Sequence, residues 1–157
     1  MTRAIRAEFT YGKRLDGGPQ APLETLVLGS GSCRDFAMLM IEAVRSLGLA
    51  ARFVSGYIYS PSMAYTVPRR RGGGHTHAWV RVYLPSCGWV EFDPTNGIDG
   101  NTDLVRVAVA RDPRQAVPLH GTWSGPNGAY KGMDVEVDVE VEREPQDSSD
   151  VELLLTP

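Results

Sequence analysis

The sequence predicts an α+β domain, one amphipathic helix packed on an antiparallel sheet, and three observations predict it. After Cys33 the apolar residues Phe36, Leu39, Met40, Ala43, Val44 and Leu47 recur at three- and four-residue spacing, the period of one helical face. Residues 77–84 alternate, with Ala78, Val80, Val82 and Leu84 against His77, Trp79, Arg81 and Tyr83, the period of a strand. A turn from Pro85 to Gly88 leads into a second alternating run, Trp89 to Asp93, and the two runs read as a hairpin.

Taken in order, the first element is a short helical turn from Pro22 to Val27. Proline is favourable at the first helical position, Glu24 suits the first turn and Gly29 stops it. The loop GSGS leads to the main helix, whose start is marked by Ser32 and Asp35 at the S-x-x-D spacing of a capping box. That spacing makes Cys33 the first helical residue, and Gly48 closes the helix. Residues 51–59, rich in β-branched and aromatic side chains, read as a strand ending at Ser60-Pro61. Residues 61–74 contain RRRGGG and read as a solvated surface excursion, although loops also border active sites.

Within the hairpin, the apolar residues must face one way, which leaves one sensible parity. It puts His77 and Asp93 on a common face, opposite or diagonal, and lets Arg81 approach Glu91. A further strand is expected at Leu104 to Ala110, broken by Asp112-Pro113. The run DVEVDVEVE from Asp134 alternates strictly and predicts a half-buried strand. PQDSSD is turn or linker chemistry. We expect residues 1–144 to form the domain and 145–157 a C-terminal tail or short terminal strand.

With 157 residues the chain can bury a core without disulfide staples. Its net charge of -3 gives no reason to expect nucleic acid or an anionic membrane as partner. No apolar run approaches the roughly 20 residues of a membrane span, and the N-terminal residues lack the apolar stretch of a signal peptide, so a cytoplasmic protein is expected. Oligomeric state is not legible. Two cysteines, Cys33 and Cys87, allow at most one disulfide, so the reactivity of each thiol is the more useful question.

A thiol is nucleophilic mainly as thiolate, and the first turn of a helix favours that anion through unpaired N–H groups and the positive dipole end. Cys33 is expected at such a place. Acyl transfer also needs a base near the sulfur, oriented through its other nitrogen. His77 and Asp93 are candidates for base and orienter, assembled by the fold because they follow Cys33 at long range. Each has a plainer reading. A cysteine opening an apolar helix is commonly a small buried residue, and an aspartate before proline commonly forms a turn. Asp35 caps the helix, His75 is a loop or substrate-side residue, and Cys87 is incidental. Trp79, Tyr57 and Tyr59 are aromatic strand residues of the kind that fill cores, with the lining of a substrate cleft as their other role.

Three blocks, GSGSCRDFAMLMIEAVRSLGLAARFVSGYIYSP, HTHAWVRVYLP and GWVEFDPTNG, resemble the core of bacterial transglutaminase-like cysteine peptidases over about residues 22–98. The resemblance implies a papain-related arrangement, the nucleophile at a helix start packed against an antiparallel sheet that carries the other two groups. It implies that Cys33 of C-R-D-F-A is the nucleophile, His77 of H-A-W the base and Asp93 of F-D-P-T-N its orienting carboxylate. Members often carry an additional N-terminal β-rich domain, for which little sequence precedes Pro22; the chain would then be a C-terminal part of a longer architecture or a compact variant.

The expected activity is hydrolysis of a peptide or other amide through a thioester, with transamidation to an amine as the alternative. No cofactor is expected. The Cys33 backbone N–H is one candidate oxyanion donor. The second is unassigned, with Tyr11 and Gln20 as upstream candidates that no motif singles out. From another class come a metal module using Cys33, His75, His77 and Cys87, whose spacing lacks any C-x-x-C, and an inactive interaction domain that keeps the fold.

The apolar hairpin face excludes His77, yet the helix carrying Cys33 must also pack on the sheet. Either both faces are covered or Cys33 reaches His77 from the helix end.

Overall fold

The computed structural model describes residues 1–14, 17–59, 75–100, 103–117, 121–122, 124–126, 128–129 and 132. The expected strand at 134–142, the tail at 145–157 and the loop at 61–74 lie outside the described residues.

The chain opens with helix α1 (Thr2–Glu8), which the sequence reading did not foresee. Seven residues are too few to display a helical period, but Ile5 and Phe9, one turn apart, reach the main core. Strand β1 (Thr10–Tyr11) then pairs in parallel with β2 (Ser30–Gly31). Between them lies α2 (Pro22–Leu28), opened by proline and closed by Gly29 at φ 59°, a left-handed cap that glycine adopts without strain.

The main helix, α3 (Cys33–Ser46), begins where the capping box places it, with Ser32 as N-cap and Asp35 at the third helical position. Cys33, Phe36, Ala37, Met40, Ile41 and Val44 form its buried stripe. That stripe is rotated from the one the spacing suggested. Ala37 and Ile41 face the sheet, Leu39 and Ala43 sit at the flank, and Leu47 is the C-cap and 69% exposed. The helix is apolar on both flanks, so the packing surface rather than the helix sequence selects the face. Each large side chain buried there contributes about 1.5–3 kcal/mol.

That surface is a five-stranded antiparallel sheet in the order β6-β5-β4-β3-β7, built from β3 (Ala51–Ile58), β4 (Thr76–Leu84), β5 (Gly88–Asp93), β6 (Ile98–Asp99) and β7 (Leu104–Ala110). A 3-10 turn, Pro113–Gln115, follows after the expected break.

In the hairpin Val80 pairs with Phe92 and Arg81 with Glu91, the expected parity. α3 covers the face carrying Phe53, Ala78, Val80 and Val82. Val54, Ile58, Trp79, Ile98 and Leu104 form a second cluster on the other face. Both faces are therefore lined by buried side chains; His77 shares the strand parity of Trp79, and the Cys33 end of α3 acts on its ring.

Candidate active site

Three elements supply the three predicted residues: Cys33 opens α3, His77 lies at the second position of β4, and Asp93 ends β5. All are buried, at 9%, 2% and 0% exposure.

The start of α3 is fixed by Asp35. Its carboxylate accepts from the Ser32 backbone N–H (2.7 Å), the Ser32 hydroxyl (2.8 Å) and the Gln20 backbone N–H (2.6 Å). Arg14 donates to both oxygens at 3.1 Å. Burial works to raise the pKa of Asp35, but the Ser32 and Gln20 amides, the Ser32 hydroxyl and the Arg14 charge together hold it below the ordinary value. Asp35 thus caps the helix, as its spacing suggested, and also ties the segment before α2 to the Cys33 end. A Cβ on Gly31 would stand 2.8 Å from Asp35 Cβ, so this approach needs glycine. As the first helical residue, Cys33 directs an N–H that has no partner within the helix.

His77 and Asp93 are diagonal neighbours across β4 and β5, and His77 Nε2 lies 2.8 Å from Asp93 Oδ2. Asp93 also accepts from the Thr95 N–H (2.8 Å), the Asn96 N–H (3.3 Å) and the Asn96 side-chain amide (2.8 Å). Oδ1 takes the two backbone N–H groups of the turn, and Oδ2 is shared between the Asn96 amide and the imidazole, so the turn and the His77 contact meet on one carboxylate.

Burial works to lower the pKa of His77. The charge of Asp93 and its hydrogen bond, followed by the hydrogen bond and charge of Cys33, outweigh burial and raise the pKa to about 10. Burial pushes Asp93 the other way, and His77, Asn96 and Thr95 bring it below the ordinary carboxylate value. Each charged form thus favours the other, the imidazolium the carboxylate and the carboxylate the imidazolium. The second ring nitrogen, Nδ1, is shielded and finds no aligned hydrogen-bond partner among the described residues, although Cys33 acts on the ring.

Other candidates separate from this group. His75 is exposed, with Lys13 Nζ 2.9 Å from its Nε2. Cys87 is an exposed free thiol in the turn at the far end of the hairpin, beside Ser86. Cys33, His75, His77 and Cys87 are therefore not gathered, and no group of three or more metal-ligating side chains occurs among the described residues. Tyr11 packs on Phe36. Gln20 accepts from the Thr25 hydroxyl at 3.4 Å.

Trp79, for which the sequence allows a place in the core or in a cleft wall, heads a chain of polar contacts that reaches two other strands. Trp79 Nε1 donates to Glu91 Oε2 at 3.1 Å, and Arg106 donates to Glu91 Oε1 at 2.5 Å. Arg81, the expected partner of Glu91, lies farther away at 3.6 Å.

Residues 1–94 match the model of the transglutaminase-like superfamily. The chain belongs to that superfamily. The match begins ahead of the three sequence blocks and takes in α1 and β1. An uncharacterized protein of Mycobacterium leprae is 34% identical over 141 residues, covering 90% of this chain and 48% of that protein. The chain thus spans about half the length of that curated relative. A solved structure from Cytophaga hutchinsonii, provisionally named a cysteine protease, is 28% identical with a TM-score of 0.55, over 73% of this chain and 36% of that one. A Pseudomonas aeruginosa protein-glutamine gamma-glutamyltransferase is 35% identical over 69 residues, 42% of this chain and 10% of that protein. The superfamily and the α+β fold expected from the sequence are both met. No helix among the described residues is long and apolar enough to cross a membrane.

Proposed function

We propose that this chain is a cysteine-nucleophile acyl-transfer enzyme that hydrolyses peptide or other amide bonds. The observation that carries the proposal is the buried His77–Asp93 pair, 2.8 Å apart, with the helix-opening Cys33 acting on the same imidazole. Cys33 as thiolate attacks the amide carbon and forms a C–S bond. The carbonyl oxygen becomes an oxyanion, stabilised by the Cys33 N–H at the start of α3. As the oxyanion collapses the C–N bond breaks, and His77 gives its proton to the departing amine. Water then attacks the thioester, His77 takes a proton from it, and the acid product leaves with the sulfur regenerated. Asp93 keeps the ring oriented and stabilises the imidazolium throughout. The Cytophaga hutchinsonii neighbour supports a protease-like reading.

Transamidation is the second reading, favoured by the name of the Pseudomonas aeruginosa relative: an amine in place of water would attack the same thioester. Incubation with amide acyl donors and a labelled primary amine tests both. Acid product without incorporated amine supports hydrolysis, and labelled amide product supports transamidation. No turnover and no acyl-enzyme across a broad amide panel would favour a binding domain that keeps the fold.

A further inference from the structure

We propose that Trp79, anchored by Glu91, is a positioning residue that holds the His77 ring in its working orientation; this rests on reading His77 as the base. The Trp79 indole stacks beside the imidazole, with ring centroids 6.0 Å apart and planes 26° from parallel, an offset arrangement that aromatic rings favour. Asp93 holds His77 at one nitrogen only. A ring tethered at one point still rocks about that bond, and a parallel neighbour opposes the rocking.

Four strands converge on the indole. β4 carries Trp79, β5 supplies Glu91 as acceptor, and β7 supplies Arg106, which pairs with Glu91. From β3 comes Gly56, which pairs with His77 in the strand register. A Cβ on Gly56 would stand 2.8 Å from Trp79 Cη2 and collide with the Val105 carbonyl oxygen. Glycine therefore makes the room the indole occupies beside the histidine.

The plainer account is that Trp79 simply fills the second core cluster. Its partner argues for more. Glu91 is 3% exposed, and a buried acidic side chain is a costly way to support a core aromatic when phenylalanine would need no acceptor. The hydrogen bond fixes the rotation of the indole about its own axis, which area burial alone does not.

The test uses the chain with Cys87→Ser, so that Cys33 is the one thiol, and compares Glu91→Leu, Glu91→Gln and Trp79→Phe. Thermal melting establishes that each is folded. The readouts are the 15N resonances of the His77 imidazole and the pH profile of Cys33 alkylation by iodoacetamide. Glu91→Leu is expected to shift the His77 resonances and slow alkylation at neutral pH about tenfold, less than the roughly hundredfold that a full 1 Å misplacement can cost. Glu91→Gln, whose side-chain oxygen can accept from the same indole, is expected to recover most of both signals. Trp79→Phe is expected to move the His77 resonances and to remove the further effect of Glu91→Leu, since both act through one hydrogen bond. Unchanged His77 resonances in folded Glu91→Leu overturn the proposal, and if that variant fails to fold, unchanged resonances in Trp79→Phe do so. Failure of the acyl-transfer reading looks different: Cys33 in the original chain would alkylate no faster than Cys87, while the His77 spectrum would still decide the positioning role.

Discussion

His77 Nε2 meets Asp93 Oδ2 at 2.8 Å with both side chains fully shielded, a diagonal pair across neighbouring strands. The shielding is what makes the pair consequential. In water such a pair is worth little, whereas here each partner's charge depends on the other.

Stability should therefore depend on pH in a defined direction. The pKa of His77 is raised from 6.5 to about 10 in the folded chain, so its contribution is fully present below 6.5 and lost as pH rises through about 10. The pKa of Asp93 is lowered, so its contribution is present above the ordinary 3.8 and lost as pH falls through the folded value. These are two views of one pair and do not add. The difference in denaturant midpoint between the original chain and His77→Gln should be larger at pH 6 than at pH 9.5. Equal differences at the two pH values would refute the linkage.

Asp93→Asn should reduce turnover on an amide substrate by about a thousandfold or more, because the orienting acceptor for the imidazole is lost. The substrate KM should change much less than kcat. A variant that keeps its kcat would remove Asp93 from the machinery, whatever it does for the Thr95–Asn96 turn.

The cap on α3 should matter more through Asp35 than through Ser32. Asp35→Ala leaves the Ser32 and Gln20 amides without their acceptor and should cost about 3 kcal/mol or more by denaturant unfolding. Ser32→Ala should cost about 1 kcal/mol, the usual worth of an N-cap. The reverse order would mean that the carboxylate is not what holds the Cys33 end in place.

Gly56→Ala should destabilise the domain by about 1–3 kcal/mol through overpacking against Trp79 and the Val105 carbonyl. Trp79 fluorescence should change with it, though Trp89 and Trp123 must first be replaced by phenylalanine for the signal to be assigned. An unaltered emission spectrum together with unaltered stability would show that the sheet yields at this point.

What was legible in the sequence was local. Ser32 and Asp35 marked the start of α3 because a capping box is encoded in four residues, and strand parity put His77 and Asp93 on one face because a side chain has only two faces to choose from. The Arg106–Glu91 contact was not legible, because it depends on β7 lying beside β3, and strand order is written nowhere in the alternation of a strand. β6 and the β1–β2 pair have two residues per strand, too short for any period to appear. Nothing in the sequence singles out Gly56, and its role emerges only once Trp79 and Val105 flank it.

The most direct test of the account compares the two thiols of the unmodified chain. Iodoacetamide at neutral pH, followed by mass spectrometry of the labelled peptides, gives the rate for each. Cys87 is exposed and Cys33 buried, so accessibility alone favours Cys87. The account predicts the opposite order, with Cys33 modified faster and its advantage lost in His77→Ala. Faster labelling of Cys87, or a Cys33 rate indifferent to His77, would contradict an activated thiol at the start of α3.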